Sequence, residues 1–166
     1  MNTLLPFSSF NSLGLLSNAD LGIQIHEAAE LIHLLEDCPV GWHKSKEAMQ
    51  WFGHLEALKA YYNLCIVLWG QRGFTPNRKI YTNLDLRFST KLPAWIGDER
   101  VHSFHRGILL KRRPDFYNRY GWKISETPIY PDMHTYGLAL REHKVPEYRP
   151  MVEFDWNAFY KALPTG

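Results

Sequence analysis

The stretch Val101-His-Ser-Phe-His-Arg-Gly-Ile-Leu-Leu-Lys-Arg-Arg-Pro-Asp-Phe-Tyr-Asn-Arg-Tyr-Gly-Trp122 reads as one helix and its exit. Asp98 is placed to cap that helix and Glu99 sits at its positive end. Pro114 limits it, because a proline disfavours helical backbone in the residue before it. Val101, Phe104 and Ile108 make one stripe; His102, His105, Arg106, Leu109 and Arg113 make the other. Arg106, Lys111, Arg112, Arg113, Arg119 and Lys123 stand against a single acid, Asp115, while the whole chain carries a net charge of only +2. Attraction for phosphate is therefore expected at this end of the chain. Interleaved with Phe116, Tyr117, Tyr120 and Trp122, these cations suit a surface that neutralises phosphates and stacks on or wedges between bases. A solvated helix face followed by an aromatic loop that plugs the core has the same composition.

Outward from this helix the chain continues to read as helices and loops. Asp20 is placed to cap a helix from about Leu21 to Leu35, with Ile25, Ala28, Ala29, Ile32 and Leu35 at core spacing. Gln24 and Glu27, three apart, project from neighbouring turns of one face and are flanked by His26 and Glu30. A second helix is expected from after Ser45 to near Gly70, carrying Trp51, Phe52, Leu55, Leu58, Tyr62, Cys65, Ile66 and Trp69, long enough to be the spine of the domain. Between Gln71 and Trp95, Pro76 and Pro93 mark loops, and Tyr81, Leu84, Leu86 and Phe88 hint at one short extended piece without securing a strand. From Ile124 onward, Pro128, Pro131, Pro146 and Pro150 imply an extended wrap, ending in a short helix from Trp156 to Leu163. The expectation is a mainly α, single compact domain spanning 1–166. It has about three principal helices, long Pro-rich loops and a C-terminal wrap over about 124–166.

Composition sets the outer limits. A chain of 166 residues with 45% hydrophobic content is able to bury one core. Cys38 and Cys65 lack paired spacing, which argues against a zinc ribbon or a disulfide framework and for a reduced compartment. Met1-Asn-Thr-Leu-Leu-Pro-Phe7 has no basic leader, and no apolar run approaches the roughly 20 residues of a membrane span. A cytoplasmic protein with no membrane partner is expected.

Four motifs occur in a telling order: Met1-Asn-Thr-Leu-Leu-Pro-Phe7; Leu21-Gly22-x-Gln24-x-x-Glu27-Ala28; Trp51-Phe-Gly-His-Leu-Glu-Ala-Leu58; and His102-x-x-His105-Arg106 with Arg113-Pro-Asp-Phe-Tyr117. In order and spacing the chain resembles the pyrimidine-dimer DNA glycosylase family, the small phage repair enzyme and its bacterial relatives, over roughly Met1 to Trp122. The resemblance implies a single, mainly helical domain acting on double-stranded DNA, and a monomer is expected. It implies cleavage of the glycosidic bond of a damaged pyrimidine, then nicking of the backbone (AP lyase), with no metal or organic cofactor.

The chemistry has its own requirements. An unprotonated amine attacks the sugar C1′, the base departs, and the resulting imine acidifies the C2′ proton for β-elimination of the 3′ phosphate. A nearby carboxylate must stabilise the positive charge developing on the sugar and move protons. Glu27 matches the family's catalytic glutamate by its place on the first helix; a surface glutamate in a weak ion pair is the plain alternative. The resemblance makes the nucleophile the chain's own α-amine, whose ordinary pKa of about 8 leaves a useful neutral fraction near pH 7. With the bulky Asn2 following, that amine is assigned to Met1. The phage enzyme has arginines on either side of its glutamate, where this chain has His26 and Glu30, so a different lesion or modified base is a possible substrate. Gln24 and His26 are expected to line the site; His105, Arg106, Lys111, Arg112, Arg113, Tyr117 and Arg119 are expected to contact DNA. Trp51, His54 and Tyr117 are candidates to border the pocket for a flipped base, with core packing the competing role for Trp51.

Two other readings stay open at this point. His102 and His105 share a helix face and, with His26 and Glu27, have the composition of a metal site. A catalytically silent nucleic-acid-binding or assembly protein of the same fold is the other.

Overall fold

Ser17 opens the first long helix, α1 (Asn18–Asp37), by accepting a hydrogen bond from the Asp20 backbone N–H at 3.1 Å. The helix thus begins about one turn before the expected Asp20 cap, because Asp20 turns inward and its carboxylate is wholly buried. Leu21, Ile25, Ala28, Ala29 and Ile32 form the buried stripe of α1. The Trp69 ring lies 3.5 Å from where a Cβ on Gly22 would stand, an ordinary van der Waals distance. The computed structural model describes residues 3–82, 84 and 92–130. Within these residues the protein is mainly helical, as the periodicity predicts.

The expected long second helix is two helices, α2 (Lys46–Trp51) and α3 (Leu55–Gln71). The apolar period runs through both, which is why the sequence reads as one. Gly53, at φ +81°, takes the left-handed conformation that breaks the helix between them. Both α2 and α3 meet α1, α3 far more extensively. Trp51 at the end of α2 is wholly buried and meets Tyr61 of α3 and Trp95 edge to face at 5.7 and 5.4 Å.

The fourth helix, α4 (Glu99–Arg112), starts at the expected cap, Asp98, whose carboxylate accepts from the Arg100 N–H at 3.0 Å. Pro114 ends it and opens a single helical turn, α5 (Pro114–Tyr117). The two stripes of α4 do not divide as apolar inside and polar outside. Val101 is buried, but Phe104 and Ile108 are only half-buried, whereas His102, His105, Arg106 and Leu109 go inside. After α5 the chain crosses back over α4: Ser125 donates its N–H to the Ser103 hydroxyl, and Ile129 donates to the Arg100 carbonyl at 3.1 Å. The rest of the expected wrap, including the helix from Trp156, lies outside the described residues, as do Leu86 and Phe88. Tyr81 and Leu84 sit in irregular backbone.

Candidate active site

The polar interior is organised around the first described residues of the chain. Thr3 to Pro6 run as an irregular, buried strap, and such a strap must find partners for its own backbone N–H and C=O groups. Side chains from α1, α3 and α4 supply them, and α2 adds a bond to the Thr3 side chain. The Leu4 N–H donates to Gln24 Oε1 at 2.7 Å. The Tyr61 hydroxyl lies 2.7 Å from the Leu4 carbonyl and 2.8 Å from the same Gln24 oxygen, with one proton to share between them. Trp51 donates its indole N–H to the Thr3 hydroxyl at 2.8 Å. Arg106 donates to the Pro6 carbonyl at 2.8 Å and lays its guanidinium 4.6 Å from the centre of the Phe7 ring.

Leu5 is held between the two histidines of α4. His102 Nε2 accepts from the Gly97 N–H at 2.9 Å, so its proton sits on Nδ1 and is donated to the Leu5 carbonyl at 2.9 Å. His105 Nδ1 lies 3.1 Å from the Leu5 N–H, from which it accepts in one tautomer, and 3.2 Å from the Leu5 carbonyl, to which it donates in the other; its Nε2 is buried without a partner among the described residues. Burial, then the neighbouring His102, pushes the His105 pKa down to about 3, and burial lowers His102 as well. Both rings are therefore neutral.

Glu27 lies one turn beyond Gln24 on the strap side of α1 and is 5% exposed. Burial raises its carboxyl above the ordinary range, against the opposing charges of the chain's amino group and His26. Glu47 of α2 acts in the same direction as burial. Gln50, one turn after Glu47, is buried with neither carboxamide atom hydrogen-bonded, and Gln24 Nε2 is likewise unpartnered among the described residues. A buried amide without a partner is costly to the fold. His26 is exposed on the adjoining face of α1, where Arg78 approaches its Nδ1 at 3.3 Å.

Several expected DNA contacts are corrected by these positions. His105 is wholly buried and Arg106 is 2% exposed; both spend their hydrogen bonds on the strap, and Arg106 also bonds Glu99 and the Lys123 carbonyl. Neither offers a surface to phosphate. Tyr117 is wholly buried: its hydroxyl accepts from the Ser17 N–H at 3.0 Å and donates to Asp20 at 2.7 Å, so it does not border a pocket open to a base. Arg112 and Arg113 reach that same buried Asp20 at 3.0 and 3.1 Å, with their side chains 36% and 39% exposed. Burial alone would raise the Asp20 carboxyl; the hydrogen bonds of Tyr117, Ser17 and Arg112 and the charge of Arg113 outweigh it and hold the group low. Lys111 and Arg119 are exposed, and Arg119 stacks 4.1 Å from the centre of the Phe116 ring. Trp51 packs in the core, while His54, half-buried, sits at the start of α3.

The metal reading of the histidine pair fails on the same geometry. Both His102 nitrogens are taken by backbone groups, and no cluster of three or more His, Cys, Asp or Glu side chains suited to a metal occurs among the described residues. Sequence reasoning passed over Tyr61, Gln50, Asp20 as a buried anchor, and Arg78. Tyr61 stands three residues after Leu58 on the inner face of α3, a signal that periodicity carried. The other three carry no local mark.

A mainly helical domain whose polar interior centres on its own N-terminal segment and a buried glutamate defines the class. Residues 1–82, just under half of the chain and including all of α1 to α3, match the family model described as pyrimidine dimer DNA glycosylase, which supports the resemblance read from the order of the motifs. No curated protein and no solved structure matches it significantly. The match ends before α4, so the part that His102, His105 and Arg106 play rests on the structure. Among the described residues no helix is long and apolar enough to cross a membrane.

Proposed function

We propose that this protein is a DNA-repair glycosylase that excises a damaged pyrimidine from duplex DNA, using its N-terminal α-amine as nucleophile and Glu27 as the assisting carboxylate. The observation that carries the proposal is the strap. Six side chains, Gln24, Trp51, Tyr61, His102, His105 and Arg106, are spent on fixing Thr3 to Pro6. The α-amine of Met1 is two residues from Thr3, a reach of at most about 7 Å. Leu4 is tied to Gln24, one turn from Glu27. Fixing a chain start this firmly is costly in side chains, and it suits a terminus that must meet a reacting atom.

In the proposed reaction the neutral amine forms a bond to the sugar C1′ while the C1′–N bond breaks and the base leaves with the electron pair, later taking up a proton. Glu27, anionic, offsets the positive charge that develops on the sugar and accepts the proton the amine must lose. The carbon–nitrogen adduct opens to an imine. Loss of the C2′ proton then expels the 3′ phosphate, the AP-lyase step. The lesion nucleotide must leave the stack for C1′ to be reached. Lys111 and Arg119, with the exposed parts of Arg112 and Arg113, are the cations proposed to meet the phosphate backbone.

Borohydride trapping on ultraviolet-irradiated and undamaged duplexes, with mass spectrometry of the adduct, tests this reading. A dimer-dependent adduct on the N-terminal peptide is the expected result. Tight DNA binding with neither adduct nor strand scission would overturn the enzymatic reading in favour of a silent binding protein of the same fold.

A further inference from the structure

We infer that Arg78 and His26 together form a seat for one backbone phosphate of the duplex, beside Glu27. The inference rests on the proposed DNA-glycosylase activity and adds to it a residue that lies outside the basic stretch of the sequence. Arg78 is in the loop after α3, and it is not there by accident of a free loop. The Tyr62 hydroxyl holds the Lys79 carbonyl at 3.0 Å, and the Asn63 carboxamide pairs with both backbone groups of Tyr81, at 2.8 Å each way. These three bonds bring the loop against α3, where Arg78 extends to α1 and donates to His26 Nδ1 at 3.3 Å.

The pairing is unusual in its chemistry. A guanidinium ordinarily seeks a carboxylate, yet among the described residues no acid forms an ion pair with Arg78 or His26. The nearest acid along that face of α1, Glu30, is exposed one turn on and is not bonded to either. Because Nδ1 accepts from Arg78, the imidazole proton sits on Nε2, free to be donated outward. A guanidinium fork and an imidazole N–H side by side, partly exposed and next to the site carboxylate in sequence, match the oxygens of a phosphodiester. Gripping a phosphate there fixes the sugar whose C1′ must meet the amine.

The test measures binding to a duplex carrying a tetrahydrofuran abasic analogue, which cannot be cleaved, for the wild type, Arg78→Ala and Arg78→Lys between 50 and 200 mM salt. One phosphate contact contributes about 0.9 to the slope of log affinity against log salt, so its loss reduces the affinity ratio over this range by about 3.5-fold. Arg78→Ala is expected to lose that slope with an unchanged melting temperature, while Arg78→Lys, which keeps the charge, retains it. Wild-type slope in Arg78→Ala, or equal loss in both variants together with a lower melting temperature, would overturn the phosphate seat and leave the glycosylase reading standing. A wild type that binds neither this duplex nor irradiated DNA would overturn both.

Discussion

Replacing Arg106 by methionine separates a structural role from a DNA-binding one. The guanidinium is 2% exposed and donates to the Pro6 carbonyl at 2.8 Å, to the Lys123 carbonyl at 3.0 Å, and to Glu99. Methionine fills much of the same volume but leaves those carbonyls without a donor. A hydrogen bond from a charged group contributes about 1.5–3 kcal/mol, and the contact with the Phe7 ring about 0.5–1 kcal/mol. The Glu99 side chain is 65% exposed, so its ion pair is screened and adds little. The expected destabilisation is therefore about 3.5–7 kcal/mol, a fall in Tm of about 7–28 °C for a chain of this size. Thermal unfolding by circular dichroism measures it, and the salt dependence of binding to an uncleavable duplex, measured well below the midpoint, should keep the wild-type slope. A variant with unchanged Tm whose slope falls by about 0.9 would refute the reasoning and return Arg106 to the DNA surface.

Glu27→Gln is expected to abolish base excision while leaving duplex binding intact, read by product gel and fluorescence anisotropy. The same variant should melt higher than the wild type near neutral pH, because burial disfavours the carboxylate in the folded state. That gain should vanish below the ordinary carboxyl range, where both states are protonated; a wild-type Tm at neutral pH would contradict it. Asp20→Asn should destabilise by about 2–3 kcal/mol at pH 7, through weakened bonds to Tyr117, Ser17, Arg112 and Arg113. Asp20 is held low in the fold, so the difference from wild type should shrink as acid protonates it, which urea titrations at a series of pH values would show. His105→Asn, which keeps an acceptor for the Leu5 N–H, should flatten the acid limb of the stability curve. The unfolded histidine takes up a proton near pH 6.5 and the folded one only near 3, so the wild type loses stability as pH falls through that window. An unchanged slope there would mean that His105 does not stay neutral in the fold.

The sequence by itself determined the helices and much of their punctuation, because those signals are local. The Asp98 cap, the Pro114 stop and the inward residues Leu21, Ile25, Ala28 and Ile32 are matters of spacing within one or two turns. The pairing of Gln24 and Glu27 on one face followed in the same way, and the order of motifs carried the family. Only the tertiary structure decided which way the polar stripe of α4 faces. Hydropathy places His102, His105 and Arg106 outside; the strap draws them in, because its buried backbone amides and carbonyls, up to 100 residues away in the chain, need polar partners. The break at Gly53 was illegible for a related reason, since the apolar period continues across it and only the tertiary structure shows the left-handed turn that separates α2 from α3. Asp20 read as a cap because its type suits one; Tyr117, Arg112 and Arg113, more than 90 residues further on, make it a buried anchor instead. Periodicity sees what a side chain is made of, and the fold decides which unpaired group it must answer.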